Sequence, residues 1–167
     1  MDRTYYTTMA EYNQWMNQKI YSACESISDS DRNADRGVFF KSIHGTLDHI
    51  LWGDRMWLSR LAEAAPPTVK LGELLYPNFA DLQEQRRLTD RTILAWASCL
   101  TPEWLNSTVA WRSAIDGQVR SHTVWILVTH FFNHQTHHRG QVTTLLTQLG
   151  HDIGSTDLPW MPSFLEK

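Results

Sequence analysis

The sequence predicts an all-α protein built as a bundle of four helices. Apolar residues recur at three- and four-residue spacing through four long segments, which is the period of an amphipathic helix packed against a core. Proline, glycine or runs of short polar residues separate these segments. The predicted helices span 4–28, 38–64, 78–100 and 122–149. With 167 residues, the chain is long enough to bury a substantial core, and we expect residues 1–167 to form a single domain.

The first two predicted helices are marked by apolar stripes and by the residues that end them. The stripe of helix one begins at Tyr5, and the polar residues 29–37 after this helix predict a loop. The stripe of helix two begins at Phe39. The pair Pro66-Pro67 ends helix two, because proline lacks an amide hydrogen and clashes with the preceding helical turn.

Two connections set the rest of the expected topology. Residues 65–77 are long enough for a crossover between bundle helices that are not hairpin neighbours. Helix three follows and is expected to be closed by Pro102. Residues 105–121 then predict a short β-hairpin before helix four, because β-branched and aromatic residues flank the turn signal Asp116-Gly117.

Helix four is expected to end at Gly150, followed by an extended tail at 151–167 that lies over the bundle. Within this helix, residues 130–141 hold four of the eight histidines: His130, His134, His137 and His138. At about 100° per residue, His134 and His138 lie on one face, which also carries Gln141 one turn further on and is otherwise apolar. Buried imidazoles in this position either satisfy each other by hydrogen bonds or bind something.

Two histidines four residues apart on a helix can converge on one metal ion. The pattern alone is weak evidence, because a buried histidine is more often hydrogen-bonded than bound to a metal. One class of metalloenzyme is disfavoured. The zinc-protease pattern HExxH needs a glutamate after the first histidine as general base, and position 135 is a glutamine, which cannot accept a proton.

A third ligand has to come from another helix, and helix two offers His44 and His49. These two lie about 140° apart around the helix axis, so they cannot serve the same site. His49 lies beside the small residues Ser42, Thr46 and Gly53, which leave room for an ion and a substrate. The residues therefore favour His49 over His44 without excluding His44.

The sequence identifies no catalytic residue. Asp54 lies in the apolar stripe of helix two, where a carboxylate must be paired, so it is either a structural hydrogen-bond acceptor or a carboxylate that serves the site. His130 and His137 flank the ligand face of helix four and could orient a ligand. An ordinary boundary histidine without a role is an equally good reading of each.

Composition narrows the class of protein. The net charge of −3 and the scattered basic residues argue against nucleic-acid binding. No stretch of 18 apolar residues predicts a membrane span, and no signal peptide is apparent. Cys24 and Cys99 are expected to be reduced, partly buried core residues. We therefore expect a cytoplasmic protein.

Three stretches carry a family resemblance. They are Tyr12-Asn-Gln-Trp-Met-Asn17 in helix one, Leu47-Asp-His-Ile-Leu51 with Asp54-Arg-Met-Trp57 in helix two, and Asn133-His-Gln-Thr-His-His-Arg-Gly-Gln141 in helix four. In these stretches, and over nearly the whole chain, the sequence resembles the DinB-like (damage-inducible) family of four-helix-bundle metalloproteins. The resemblance implies an up-down-down-up bundle, commonly a homodimer, and a divalent metal bound by His49, His134 and His138. It thus selects His49 rather than His44.

Characterised members of that family include thiol-dependent S-transferases and isomerases that use low-molecular-weight thiols. The leading hypothesis is therefore an enzyme whose zinc or nickel ion, in an open three-histidine site, activates a thiol or water to act on a small-molecule substrate. A non-catalytic metal-binding stress-response protein is the alternative, and purely structural histidines are a third reading. Because protonated imidazole cannot bind a metal, affinity is expected to fall as the pH drops through the usual histidine range.

Overall fold

The computed structural model describes residues 3–113 and 116–165, and these are mostly helical with one small antiparallel hairpin. The four long helices are α1 (Arg3–Glu25), α3 (Ile43–Leu61), α4 (Phe79–Ser98) and α6 (Val124–Gln148). The short elements are α2 (Asp29–Asn33), α5 (Pro102–Leu105), β1 (Thr108–Arg112), β2 (Val119–Thr123) and α7 (Pro162–Leu165). No helix in the described residues is long and apolar enough to cross a membrane.

The four long helices pack on one another in pairs. Helix α1 contacts α4 and α6, and α3 contacts α6 and α4. Their buried apolar side chains form two clusters. The first includes Leu58, Ile93 and Phe131, and the second includes Leu47 and Leu146. On α3, α4 and α6, buried polar residues occur between the stretches that supply the two clusters.

Helix α3 begins at Ile43, five residues later than the predicted start of helix two at residue 38. The Ser42 side chain caps the helix by accepting a hydrogen bond from the Gly45 amide. Lys41, with φ 67°, is in the left-handed region and cannot be helical. Phe39, predicted to belong to the apolar stripe, is 83% exposed in the turn before the helix.

Other boundaries differ for similar local reasons. Helix α1 ends at Glu25 rather than residue 28, and the predicted loop 29–37 contains helix α2, whose N-cap is Ser28. Helix α4 spans Phe79–Ser98 instead of 78–100, with Asn78 as its cap. Pro102 does not close helix three; it begins α5, where its missing amide hydrogen costs nothing.

The predicted hairpin is present, with strands Thr108–Arg112 and Val119–Thr123 and a register that pairs Thr108 with Thr123. Gly117, with φ 71°, lies in the connecting turn, as the Asp116-Gly117 signal predicted. Part of the predicted range, residues 114 and 115, lies outside the described residues.

Helix α6 spans Val124–Gln148, two residues shorter at the start and one at the end than predicted. Gly150, with φ 83°, terminates it as expected, and the His151 amide donates to the Leu146 carbonyl. The tail is only partly extended, since Leu158–Trp160 forms a 3₁₀ turn and α7 follows. It packs on α1 through the hydrogen bond from Tyr12 Oη to the Thr156 carbonyl. Of the cysteines, both free, Cys24 is buried as predicted, but Cys99 is exposed.

Candidate metal centre

Three histidines from two helices converge in the structure. His49 lies on α3, and His134 and His138 lie one turn apart on α6. Each offers one ring nitrogen, and these three atoms lie within 4.8 Å of one another. Ring centroids are 5.1 Å apart for His49 and His134, 4.6 Å for His49 and His138, and 4.5 Å for the pair on α6. The pair that the helical spacing predicted and its partner on α3 therefore face a common point.

The spacing of the nitrogens fits a metal ion. The Nε2 atoms of His49 and His134 are 3.1 Å apart. Two nitrogens that bind the same tetrahedral zinc ion, each at about 2.1 Å, lie roughly 3.4 Å from each other. Without a metal, one of these two neutral rings donates an N–H to the other, and a cation bound between the two nitrogens would replace that hydrogen bond. The donor set is thus the kind that holds a divalent metal.

The hydrogen bond of His138 fixes which nitrogen can bind the metal. Its Nδ1 lies 2.7 Å from Oε1 of Gln141, an acceptor, so Nδ1 carries the proton and Nε2 keeps its lone pair. Nδ1 of His134 is buried and has no hydrogen-bond partner among the residues that the structure describes. The sequence placed Gln141 one turn beyond the pair on the same face, and the structure gives it this orienting contact.

The electrostatics keep the imidazoles neutral. Burial, together with the charges that His134 and His138 would carry, lowers the pKa of His49 to about 3. Burial likewise lowers the pKa of His134 to about 4, with contributions from His138, His130 and His137. The pKa of His138 is lowered by burial, although Gln141 opposes this. At neutral pH these histidines are therefore in the form that binds metals.

A glycine on α3 makes room for the site. A Cβ atom on Gly53 would lie 2.7 Å from Cε1 of His134, closer than a carbon atom can approach without displacing the ring. The absence of a side chain at Gly53 therefore lets the His134 ring lie against the backbone of α3, on the same helix as His49. From the sequence, Gly53 was only one of several small residues near His49.

The other sequence candidates lie around the centre in different ways. His44 is buried elsewhere, with Nε2 2.8 Å from the Tyr76 carbonyl, and does not join the three. His130 is exposed and packs its ring on Trp57 at 5.1 Å, with His134 at 5.9 Å. His137 is exposed, and its ring centroid is 4.8 Å from that of His138.

The sequence left two possible roles for Asp54, and the structure shows the first, a structural hydrogen-bond acceptor. It is 1% exposed, and its two carboxylate oxygens accept hydrogen bonds from Arg86 at 2.5 Å and from Gln135 at 2.8 Å. Burial raises the pKa of Asp54, while Arg86 and then Gln135 oppose that shift. The structure gives it no hydrogen bond to any of the three histidines.

Asp54 belongs to a buried polar layer that joins all four long helices. Arg86 on α4 also lies 3.0 Å from Asp90, and Asp90 accepts hydrogen bonds from Asn13 and Asn17 of α1. Arg139 of α6 donates to Asn13. Burial disfavours the charge on Arg86, but Asp90 and Asp54 outweigh it and raise the pKa of Arg86 above its usual value. Two arginines thus face two aspartates in this layer.

Gln135 is the residue whose role the sequence missed. Its identity had served only to exclude the protease pattern, yet it is fully buried and binds Asp54 across the contact between α6 and α3. The available signal was a polar residue one turn after the buried Phe131, on the same face of the helix, because such a residue needs a buried partner.

Comparison with known proteins agrees with the motifs. The family model described as the DinB family matches residues 1–165. The chain is also similar to Protein DinB of Bacillus subtilis (strain 168), with 29% identity over 154 residues that cover 88% of this chain and 87% of that protein.

Proposed function

This chain belongs to the DinB family, and from that premise we propose that it is a metal-dependent enzyme that uses His49, His134 and His138 to hold a divalent ion. The observation that carries the proposal is the convergence of three neutral imidazole nitrogens within 4.8 Å. Nitrogen ligands suit zinc or nickel. An ion bound in this way supplies Lewis acidity, which lowers the pKa of a thiol or a water molecule and makes it a nucleophile near neutral pH.

The composition of the site supports an enzyme over a purely structural metal site. Among the described residues, the candidate group contains three histidines and no cysteine or carboxylate. Structural zinc sites have four protein ligands, whereas catalytic sites have three and leave a position for substrate. A non-catalytic stress-response protein would need a fourth ligand to close its site.

We assign distinct tasks to the residues around the ligands. Gln141 holds the His138 ring in the tautomer that binds the metal, and Gly53 leaves space for the His134 ring. His130 and His137 are exposed beside the ligands, so they are the groups that we propose as proton carriers. Asp54 is not proposed as a general base, because both of its oxygens are occupied by Arg86 and Gln135.

We propose a low-molecular-weight thiol as the cosubstrate. The same site could instead activate water, in which case the protein is a hydrolase.

We further propose a single domain of four long helices in up-down-down-up order. In support of this order, the N-terminal halves of α1 and α6 contribute to the same apolar cluster as the C-terminal halves of α3 and α4. A homodimeric state and a cytoplasmic location stay predictions.

Turnover by the metal-loaded protein is the test of the proposed function. Zinc- or nickel-loaded protein, purified without a histidine tag, is incubated with glutathione, cysteine or coenzyme A and a reactive electrophile such as 1-chloro-2,4-dinitrobenzene, and with ester substrates. The proposal expects conjugation or hydrolysis above the rate of the free metal, and loss of that rate in His138→Ala. Full metal binding with no turnover of any thiol or ester would favour the non-catalytic alternative.

A further inference from the structure

A cavity of about 610 Å³ lies beside the metal centre, with His49 in its wall. Its volume is in the range of small-molecule sites in proteins. The cavity is enclosed by the turn before α3, by α3 itself and by residues 71–74 of the crossover. The apolar side chains in its wall are Phe39, Phe40, Trp52, Leu71 and Leu74. Three of these five are aromatic, which suits a flat apolar ligand.

Phe40 joins the cavity to the metal centre. Its ring stacks on His49 with centroids 3.6 Å apart and an interplanar angle of 16°, and its edge contacts His138 at 5.6 Å. A molecule that packs on Phe40 in this cavity therefore lies within one ring of two metal ligands.

The backbone holds Phe40 in that position. The Ser42 amide donates to the Phe40 carbonyl at 2.8 Å around Lys41, whose φ of 67° makes this a tight and rarely used turn. A Cβ atom on Gly45 would lie 2.3 Å from the Phe40 carbonyl oxygen, so only glycine allows the turn to approach α3 this closely. Strained backbone conformations that the surrounding structure enforces cluster at binding sites and active sites.

Most polar side chains in the wall are already committed. The Asp48 carboxylate accepts hydrogen bonds from the Leu75 and Tyr76 amides, and Glu73 accepts one from the Lys70 amide. The side chain of Lys41 is exposed, and it makes no hydrogen bond or ion pair with any described residue. Asp48 and Glu73 keep their negative charges, which are directed at these backbone amides, and Lys41 is the cation in the wall that is left to pair with a bound acidic group.

We propose that this cavity binds an organic anion with a flat apolar body, such as an aromatic carboxylate or sulfonate. The aromatic wall packs on the body, and Lys41 pairs with the acidic group. If the bound molecule is the substrate of the metal centre, that part of the proposal rests on the proposed function. The binding site itself is independent of the proposed function, because its wall is formed by protein side chains without a bound metal.

The probe for this site is 8-anilinonaphthalene-1-sulfonate, an aromatic sulfonate whose fluorescence rises in apolar surroundings. N-phenyl-1-naphthylamine has the same aromatic body without the charge. Both are titrated into the metal-free and zinc-loaded protein. The proposal expects one saturable site for each probe, present in both forms of the protein.

Two variants divide the contributions of the wall. Phe39→Ala removes a ring that is 83% exposed and packs edge-on against the Phe40 ring. We expect the variant to keep its fold and the dissociation constants of both probes to rise about fivefold. Lys41→Gln should raise the dissociation constant of the sulfonate about fivefold and leave the dissociation constant of the neutral probe unchanged. Trp160→Ala and Lys19→Gln, which remove an aromatic ring and a charge outside the cavity wall, are the matched controls.

Equal affinities of wild type, Phe39→Ala and Lys41→Gln for the sulfonate would overturn the proposal, as would the absence of saturable binding. The outcome is separate from that of the metal centre. Saturable binding that depends on Phe39 and Lys41 in a protein that takes up no zinc would refute the proposed function and support the binding site. Zinc uptake without saturable probe binding would refute the binding site and leave the proposed function standing.

Discussion

The Gln135 amide donates a 2.8 Å hydrogen bond to the Asp54 carboxylate across the contact between α6 and α3, the two helices that carry the three histidines. The other oxygen of Asp54 is held by Arg86 of α4 at 2.5 Å. Asp54 is one residue from Gly53, and Gln135 is one residue from His134. The hydrogen bond therefore fixes how α6 is rotated and translated against α3, and so whether the histidines meet.

Gln135→Met tests this alignment, because methionine has a similar volume and cannot donate to Asp54. We expect zinc affinity to fall about tenfold. The unfolding free energy of the metal-free protein should fall by about 1–3 kcal/mol, the cost of a lost buried donor. Competition with a chromophoric chelator and urea unfolding measure the two effects. Gln148→Met, at an exposed position of the same helix, is the control. Unchanged zinc affinity in Gln135→Met would show that the hydrogen bond has no part in aligning the ligands.

Gly53→Ala tests the close approach of His134 to α3. The added methyl would lie 2.7 Å from Cε1 of His134, so the ring must move and zinc affinity should fall at least about tenfold. Gly140→Ala on α6 is the matched control, since a Cβ there meets nothing within 4 Å. That variant should gain about 0.5–1 kcal/mol of stability from helix propensity and keep its zinc affinity. Equal affinities of the two variants would contradict the geometry.

Arg86→Met removes the cation that two buried aspartates share. Asp54 and Asp90 would be left as buried anions, and we expect a loss of about 3–5 kcal/mol at pH 7 or above. Burial raises the pKa of both carboxyls, so they take up protons more readily in the folded chain than in the unfolded one. The deficit relative to wild type should therefore shrink as the pH is lowered from 8 to 5. Arg87→Met, an exposed neighbour, should cost under about 0.5 kcal/mol. A deficit independent of pH would exclude uncompensated carboxylates as its cause.

The lowered pKa values of His49 and His134 predict an acid-sensitive metal-free protein. The unfolded chain binds protons at histidine below about pH 6.5, whereas the folded pKa is about 3 for His49 and about 4 for His134. Stability should therefore decrease as the pH falls from about 6.5 towards 4, because only the unfolded state gains these protons. Urea unfolding from pH 7.5 to 4.5 measures this slope. His49→Gln should reduce it, and an unchanged slope would contradict the burial of that imidazole.

The same shifts change the expectation for metal affinity. The sequence predicted a fall through the ordinary histidine range. In the folded protein, protons compete with the metal at His49 and His134 only at lower pH, so the structure moves the expected fall to lower pH.

The sequence was sufficient for the helical class, the hairpin, the end of α6 at Gly150 and the placement of His134 and His138 on one face of α6, because each depends on local spacing. The choice between His44 and His49 depended on family resemblance, since the residues alone left both open. The predicted start of α3 was wrong because Lys41 is in the left-handed region, which delays the helix to Ile43. Phe39, which the apolar spacing assigned to the buried face, is therefore exposed. Asp54 and Gln135 are 81 residues apart, and no local pattern predicts a hydrogen bond over that distance.

The central claim is that His49, His134 and His138 bind one divalent ion. Isothermal titration of zinc into tag-free, metal-free protein tests it most directly, with His49→Ala and His44→Ala compared on the same helix. We expect one ion per chain in wild type and in His44→Ala, and an affinity at least about 100-fold lower in His49→Ala. Wild-type zinc affinity in His49→Ala would contradict the three-histidine site.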